Sequence, residues 1–166
     1  NDLILSVQGL TTEFKLQHGL LRAVDNASFD LARGEVLGLV GESGCGKSIA
    51  VKSILRLVRK PGITTGKVYF KTQQGEKVDL IGLKPMGDQI RRIRGKYINM
   101  IFQEPMNALS PVHTIANQMI EAIMLHQRVS KAVARERTIA LLDEVGIPNA
   151  AQRVDSYPHQ MSGGQK

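Results

Sequence analysis

At 166 residues the chain has the length of one medium domain with its own core. Its apolar share of 42% and charged share of 22% are those of a soluble globular protein, and no run approaches the roughly 18 apolar residues of a membrane span. The formal charge of +7 invites a nucleic-acid partner, but the basic clusters (Arg91, Arg92, Arg94, Lys96 and Lys131, Arg135, Arg137) are not interleaved with aromatics, and Trp is absent. They read as solvated helix faces, so no nucleic acid is expected.

In chain order, residues 3–7, 11–14 and 21–24 read as short strands. Ala27, Phe29 and Leu31 then alternate as in a half-buried antiparallel strand. A turn at residues 32–35 leads into Val36, Leu37, Gly38, Leu39 and Val40, a continuous apolar run expected to be a parallel strand buried on both faces. Directly after it stands Gly41-Glu42-Ser43-Gly44-Cys45-Gly46-Lys47-Ser48, a G-x-x-x-x-G-K-[ST] phosphate-binding loop. Residues 49–60 repeat apolar positions at helical spacing until Pro61-Gly62.

Strand, glycine loop and helix in that order suit polyphosphate chemistry. The glycines permit a tight turn and close approach. Successive N–H groups of Gly44, Cys45, Gly46, Lys47 and Ser48 are expected to converge on phosphate oxygens at the helix N-terminus. Lys47 would reach the β- and γ-phosphates of ATP, and the Ser48 hydroxyl would ligate Mg²⁺. Cys45 is the single cysteine, which precludes an internal disulfide and fits a reducing cytosolic setting. Its position within the loop makes thiol modification a plausible obstruction to nucleotide.

Residues 67–70 and 78–81 flank a polar, glycine-containing loop and read as a hairpin. Residues 97–102 form a second candidate central strand, ending at Gln103. From Thr114 the pattern turns helical. Ile115, Met119, Ile120, Ile123 and Met124 make one stripe, residues 133–145 a second, and Gly146-Ile147-Pro148 ends it. The methionines read as core filler, and His18, His113, His126 and His159 lack metal-ligand spacing.

The last residues include Met161-Ser162-Gly163-Gly164-Gln165, which resembles the L-S-G-G-Q signature of ATP-binding-cassette (ABC) ATPases, with Met for Leu. The stretch Ile101-Phe102-Gln103-Glu104-Pro105-Met106-Asn107-Ala108-Leu109-Ser110-Pro111 looks like the Q-loop of the branch that powers peptide import, as does Tyr157-Pro158-His159-Gln160. The resemblance covers essentially the whole chain. It implies an α/β fold: a P-loop NTPase core with an amino-terminal antiparallel β-subdomain and the start of a helical subdomain. The expected division is residues 1–104 and 105–166.

The resemblance also implies roles. Gln103 would contact Mg²⁺ or the attacking water, at the carboxyl end of a parallel strand where ligands bind. Phe14 would stack on adenine, although a buried strand aromatic reads nearly as well. Ser162, Gly163, Gly164 and Gln165 would meet the γ-phosphate held by a second ABC ATPase subunit, identical or not. Membrane-spanning permease subunits complete the implied partners, with the chain peripheral on the cytoplasmic face.

The family continues past the signature with an apolar strand ending Asp-Glu and a switch histidine, so this sequence reads as the amino-terminal portion of such a subunit. Missing strands would leave the parallel sheet with an unpaired edge. Asp143 and Glu144 match the Asp-Glu pattern but precede the signature on a helical stretch, which would aim them about 100° apart. His159 also precedes the signature and is not the switch histidine. The expected activity is ATP hydrolysis coupled to import of peptides or similar solutes. The alternatives are a cassette ATPase acting on nucleic acid or in translation, and a small-molecule P-loop kinase, which has no use for a signature.

Overall fold

The computed structural model describes residues 2–102 and 108–165. The chain forms two compact units, Asn1–Tyr97 and Ile98–Lys166. The expected boundary at 104/105 lies outside the described residues.

In the first unit the early strand-like pieces fuse into two long strands, β1 (Leu3–Leu16) and β2 (Gly19–Ala32), paired antiparallel. Register shifts along β1, between Val7 and Leu10 and on to Glu13, explain why the sequence pattern looks broken. Bulges change which face a side chain meets without ending the strand. On the other edge of β1 lies β3 (Gly62–Lys71), followed by β4 (Lys77–Asp79), giving the order β2-β1-β3-β4. Val7, Leu10 and Val68 are fully buried, each contributing about 1.5–3 kcal/mol by leaving water.

Helix α1 (Lys47–Ile54) packs on this sheet through a buried hydroxyl relay. Ser53 gives its only proton to Ile49 O (2.6 Å), so it must accept from Thr12 Oγ1 at 2.7 Å, and Thr12 in turn accepts from Thr64 Oγ1 at 3.1 Å. The helix stops six residues short of Lys60. Its end is a Schellman turn: Arg56 is left-handed (φ 55°), Arg56 N–H bonds Ser53 O, and Leu57 N–H bonds Lys52 O. Val58 is therefore off the helix. Helix α2 (Asp88–Ile93) buries Ile90 and Ile93.

Two expected strands do not form. Residues 36–40 are irregular, with Val36 95% and Val40 97% exposed, and residues 97–102 likewise carry no strand, with Ile101 92% exposed. A parallel strand exists only through ladder bonds to neighbours. Among the described residues the sheet is antiparallel throughout, so these apolar runs have nothing to pair with.

The second unit holds α3 (Ile115–His126), α4 (Lys131–Glu144) and α5 (Ala150–Arg153). Thr114 and Ser130 cap α3 and α4 by accepting from Asn117 N–H and Val133 N–H. The first amides of α3 are also satisfied, Ile115 by Ser156 O and Ala116 by Val154 O. A second Schellman turn ends α4 at left-handed Gly146, and its flanking residues Leu142 and Ile147 are both buried. Ile120, Ala134, Leu142, Val154 and Met161 belong to one apolar core.

Candidate functional site

The loop at residues 41–48 sits against β2 and opens α1. Gly46 is the N-cap, in left-handed conformation (φ 96°); a Cβ there would lie 2.1 Å from Ala23 O. Only glycine fits, and glycine brings no side chain to cap the helix. The first turn of α1 contains no acidic residue. Among the described residues no acceptor takes the N–H of Gly44, Gly46, Lys47 or Ser48. Unpaired amides at the positive end of a helix favour an anion.

The lysine folds back onto the same loop. Lys47 Nζ donates to Gly41 O (2.7 Å) and Glu42 O (2.6 Å), and stands 3.4 Å from Cys45 Sγ. All three ammonium donors are thus turned onto the loop itself. A Cβ on Gly41 would meet Cys45 Sγ at 2.6 Å and approach Lys47 Nζ at 3.9 Å, so the small residue leaves the space those groups share. Ser43, Cys45 and Ser48 are exposed. The donor set fits a polyphosphate: free amides, a held ammonium and an accessible hydroxyl.

Phe14 lies on β1, opposite Leu21 and Gly62. It is half-buried, and its ring edge and Val58 both crowd the place where a Gly62 Cβ would stand. Gln103 lies outside the described residues. In the second unit, Met161 is buried in the helical core while Ser162, Gly163 and Gly164 are exposed. The Gln165 side chain turns back, its Oε1 accepting Ser162 N–H at 3.1 Å, and Gln165 N–H bonds Ser162 O at 3.0 Å. Among the described residues a Cβ on Gly163 or Gly164 would meet nothing within 4 Å, so no described neighbour requires glycine there. Asp143 and Glu144 lie on α4, both exposed, as the helical reading expects.

Arg94, expected on a solvated helix face, is instead the partly buried C-cap of α2, and Gln118 escaped sequence reasoning altogether. Arg94 Nε and Nη2 donate to Leu55 O and Arg56 O, both at 2.8 Å, and so cover the carbonyl end of the α1 turn. Its burial, beside the cations of Arg56 and Arg91, lowers its pKa. Gln118 holds the chain entering α3. Only its place four residues after the Thr114 cap hinted at such a contact.

A helix start that turns its lysine onto its own loop suits phosphate, and the class it defines is that of phosphate-loop nucleotide-binding proteins. The comparison with known families narrows the class: residues 24–166 match the ABC transporter family, and the chain belongs to that family. Among curated relatives it is similar to the dipeptide transport ATP-binding protein DppD of Bacillus subtilis, 42% identical over 167 residues, taking in 99% of this chain and 48% of that protein. It is also similar to the peptidoglycan transport ATP-binding protein YejF of Agrobacterium fabrum, 44% identical over 98% of this chain and 29% of that protein. The chain thus spans about half, or less, of these relatives' length. Among solved structures, the ATP-binding cassette MJ0796, a dimer in a post-hydrolysis state bound to ADP and Pi, matches with a TM-score of 0.77. That match covers 97% of this chain and 64% of that one at 24% identity, and the likeness is one of fold.

Proposed function

We propose that the chain is the ATP-binding portion of an importer ATPase that couples ATP binding and hydrolysis to uptake of peptides or related small solutes. The observation that carries the reading is the 41–48 loop, with its unpaired amides and Lys47 Nζ held at 2.7 Å and 2.6 Å by Gly41 O and Glu42 O. An ammonium bound by two neutral carbonyls and a sulfur gains by exchanging them for phosphate oxygens. Membership of the ABC transporter family and similarity to DppD support the transport side.

Within that reading, the unpaired amides of Gly44, Gly46, Lys47 and Ser48 and the Lys47 ammonium bind and orient the β- and γ-phosphates, while the Cys45 N–H, expected among them, is taken by Glu42 O at 3.3 Å. Phe14 stacks on adenine. Ser48 and Gln103 hold Mg²⁺, which supplies charge neutralisation on the phosphates when bound. Among the described residues no cluster of His, Cys, Asp or Glu could hold a metal, which suits a cation held largely by the nucleotide's own oxygens. Phosphoryl transfer asks mainly for positioning and electrostatic stabilisation, which amides and an ammonium provide. Exposed Ser162, Gly163 and Gly164, with the partly exposed Gln165, face the phosphates of a second ABC subunit, the dimeric state of MJ0796 being the precedent. Permease subunits hold the assembly on the inner face of the membrane; no helix among the described residues is long and apolar enough to cross one.

Calorimetric titration with Mg²⁺–ATP tests the loop. Lys47→Ala removes the cation facing the phosphates and is expected to weaken binding well beyond tenfold, or about 1.4 kcal/mol. Equal affinity in parent and variant refutes the assignment.

A further inference from the structure

The formal charge of +7 is not spread evenly along the chain. Residues 56–60 hold Arg56, Arg59 and Lys60, residues 91–96 hold three arginines and Lys96, and neither stretch contains an acid. The fold of the first unit joins the two. Arg94, at the end of α2, donates from Nε and Nη2 to Leu55 O and Arg56 O at 2.8 Å, which brings the α2 cations to the turn that ends α1. The charges acting on Arg94 are those of Arg56 and Arg91, both repulsive. Among the described residues none of these cations stands in an ion pair, and Arg56 Nε is buried without an acceptor. Like charges gathered without a carboxylate repel one another, and an anionic partner relieves that repulsion.

We propose that this basic face docks on the phosphate headgroups of an anionic membrane, a contact with lipid in addition to any with permease subunits. The inference rests on the importer reading above, which puts the chain beside a membrane. A cluster of about four to eight lysines and arginines is the chemistry that holds a surface to anionic lipids. Arg59, Lys60, Arg91, Arg92 and Lys96 are exposed, and α2 turns Ile90 and Ile93 inward, away from its arginines. Lipid phosphates diffuse in the plane and gather beneath cations at any spacing, whereas a protein partner has to match them with fixed carboxylates. Nucleic acid fits less well. Tyr97, the aromatic beside the cluster, is engaged with Phe70 at 6.2 Å and lies under Lys96 Nζ at 5.1 Å, which is poor material for stacking bases.

The test is sedimentation of the full-length subunit, without permease, with vesicles of phosphatidylcholine alone or of equal parts phosphatidylcholine and phosphatidylglycerol. Binding to the anionic vesicles is expected to be tighter by roughly tenfold or more, and to weaken steeply as salt is raised. Arg91→Glu combined with Arg92→Glu should cost about tenfold or more on anionic vesicles, while Mg²⁺–ATP affinity, which reports folding, stays within about twofold. Arg91→Gln with Arg92→Gln should fall between. Lys131→Glu with Arg137→Glu changes the net charge equally, on the second unit, and should bind vesicles like the parent. Equal binding to both vesicles, or equal losses in the two charge-reversed proteins, overturns the proposal. So does a vesicle loss matched by lost ATP affinity, or tighter binding to duplex DNA or polyglutamate than to the anionic vesicles. Mg²⁺–ATP binding abolished by Lys47→Ala checks the ATPase reading separately, so failure on vesicles with that result intact overturns the lipid contact alone.

Discussion

Single residues carry the chemistry here through what surrounds them. Gly46 matters because Ala23 O would stand 2.1 Å from any Cβ, and Lys47 because loop carbonyls hold its ammonium. Phe14 is the residue whose role two readings share. Its ring is half-buried beside Gly62. If the ring stacks on adenine, Phe14→Ala should weaken ATP binding by about 1–3 kcal/mol, the range for base stacking on an aromatic side chain. Inorganic triphosphate, which has no base, should bind the variant and the parent alike. Titration with both ligands separates the readings, and equal losses would assign the ring to packing.

Elements were legible in the sequence wherever their signals are local. The helical onset at Thr114, the stop at Gly146 and the hairpin of β3 and β4 depend on neighbouring residues, and they stand where the pattern puts them. The phosphate loop is legible for the same reason: its glycines, lysine and serine fall within one short segment, residues 41–48. What the sequence could not show depends on distant partners. Residues 36–40 have the composition of a buried parallel strand, but composition does not supply the neighbour that makes a ladder. Arg94 and Gln118 gain their roles only once a turn brings carbonyls within reach. So does the Arg135–Asp155 pair, bidentate at 2.8 Å and 2.6 Å, which ties α4 to the residues after α5. The hydrogen bond from Arg135 lowers the Asp155 pKa, so the pair stabilises above the unfolded carboxyl pKa and is lost as pH falls through the lower folded value. Thermal unfolding should show Asp155→Asn slightly less stable than the parent at neutral pH. The difference should fade as pH falls below the ordinary carboxylate range and protonates Asp155 in both states, and a difference that persists there would argue against the pair as its source.

At the scale of the molecule, holding a nucleotide and hydrolysing it make different demands. Binding needs the loop, which one unit supplies complete. Hydrolysis needs an acid to orient water and a facing signature, and the family resemblance puts the acid and the switch histidine after the signature motif. Within the 166 residues, Asp143 and Glu144 are the substitutes by pattern. They sit on successive positions of α4, about 100° apart around its axis, and both point to solvent. A polypeptide of these residues is therefore expected to bind Mg²⁺–ATP and to release no phosphate in steady state. The measurement is phosphate release from the purified polypeptide, with Lys47→Ala as the control for contaminating ATPases. Turnover that survives Lys47→Ala comes from a contaminant and leaves the expectation standing. Turnover abolished by both Lys47→Ala and Glu144→Gln would make the helical carboxylate the acid after all.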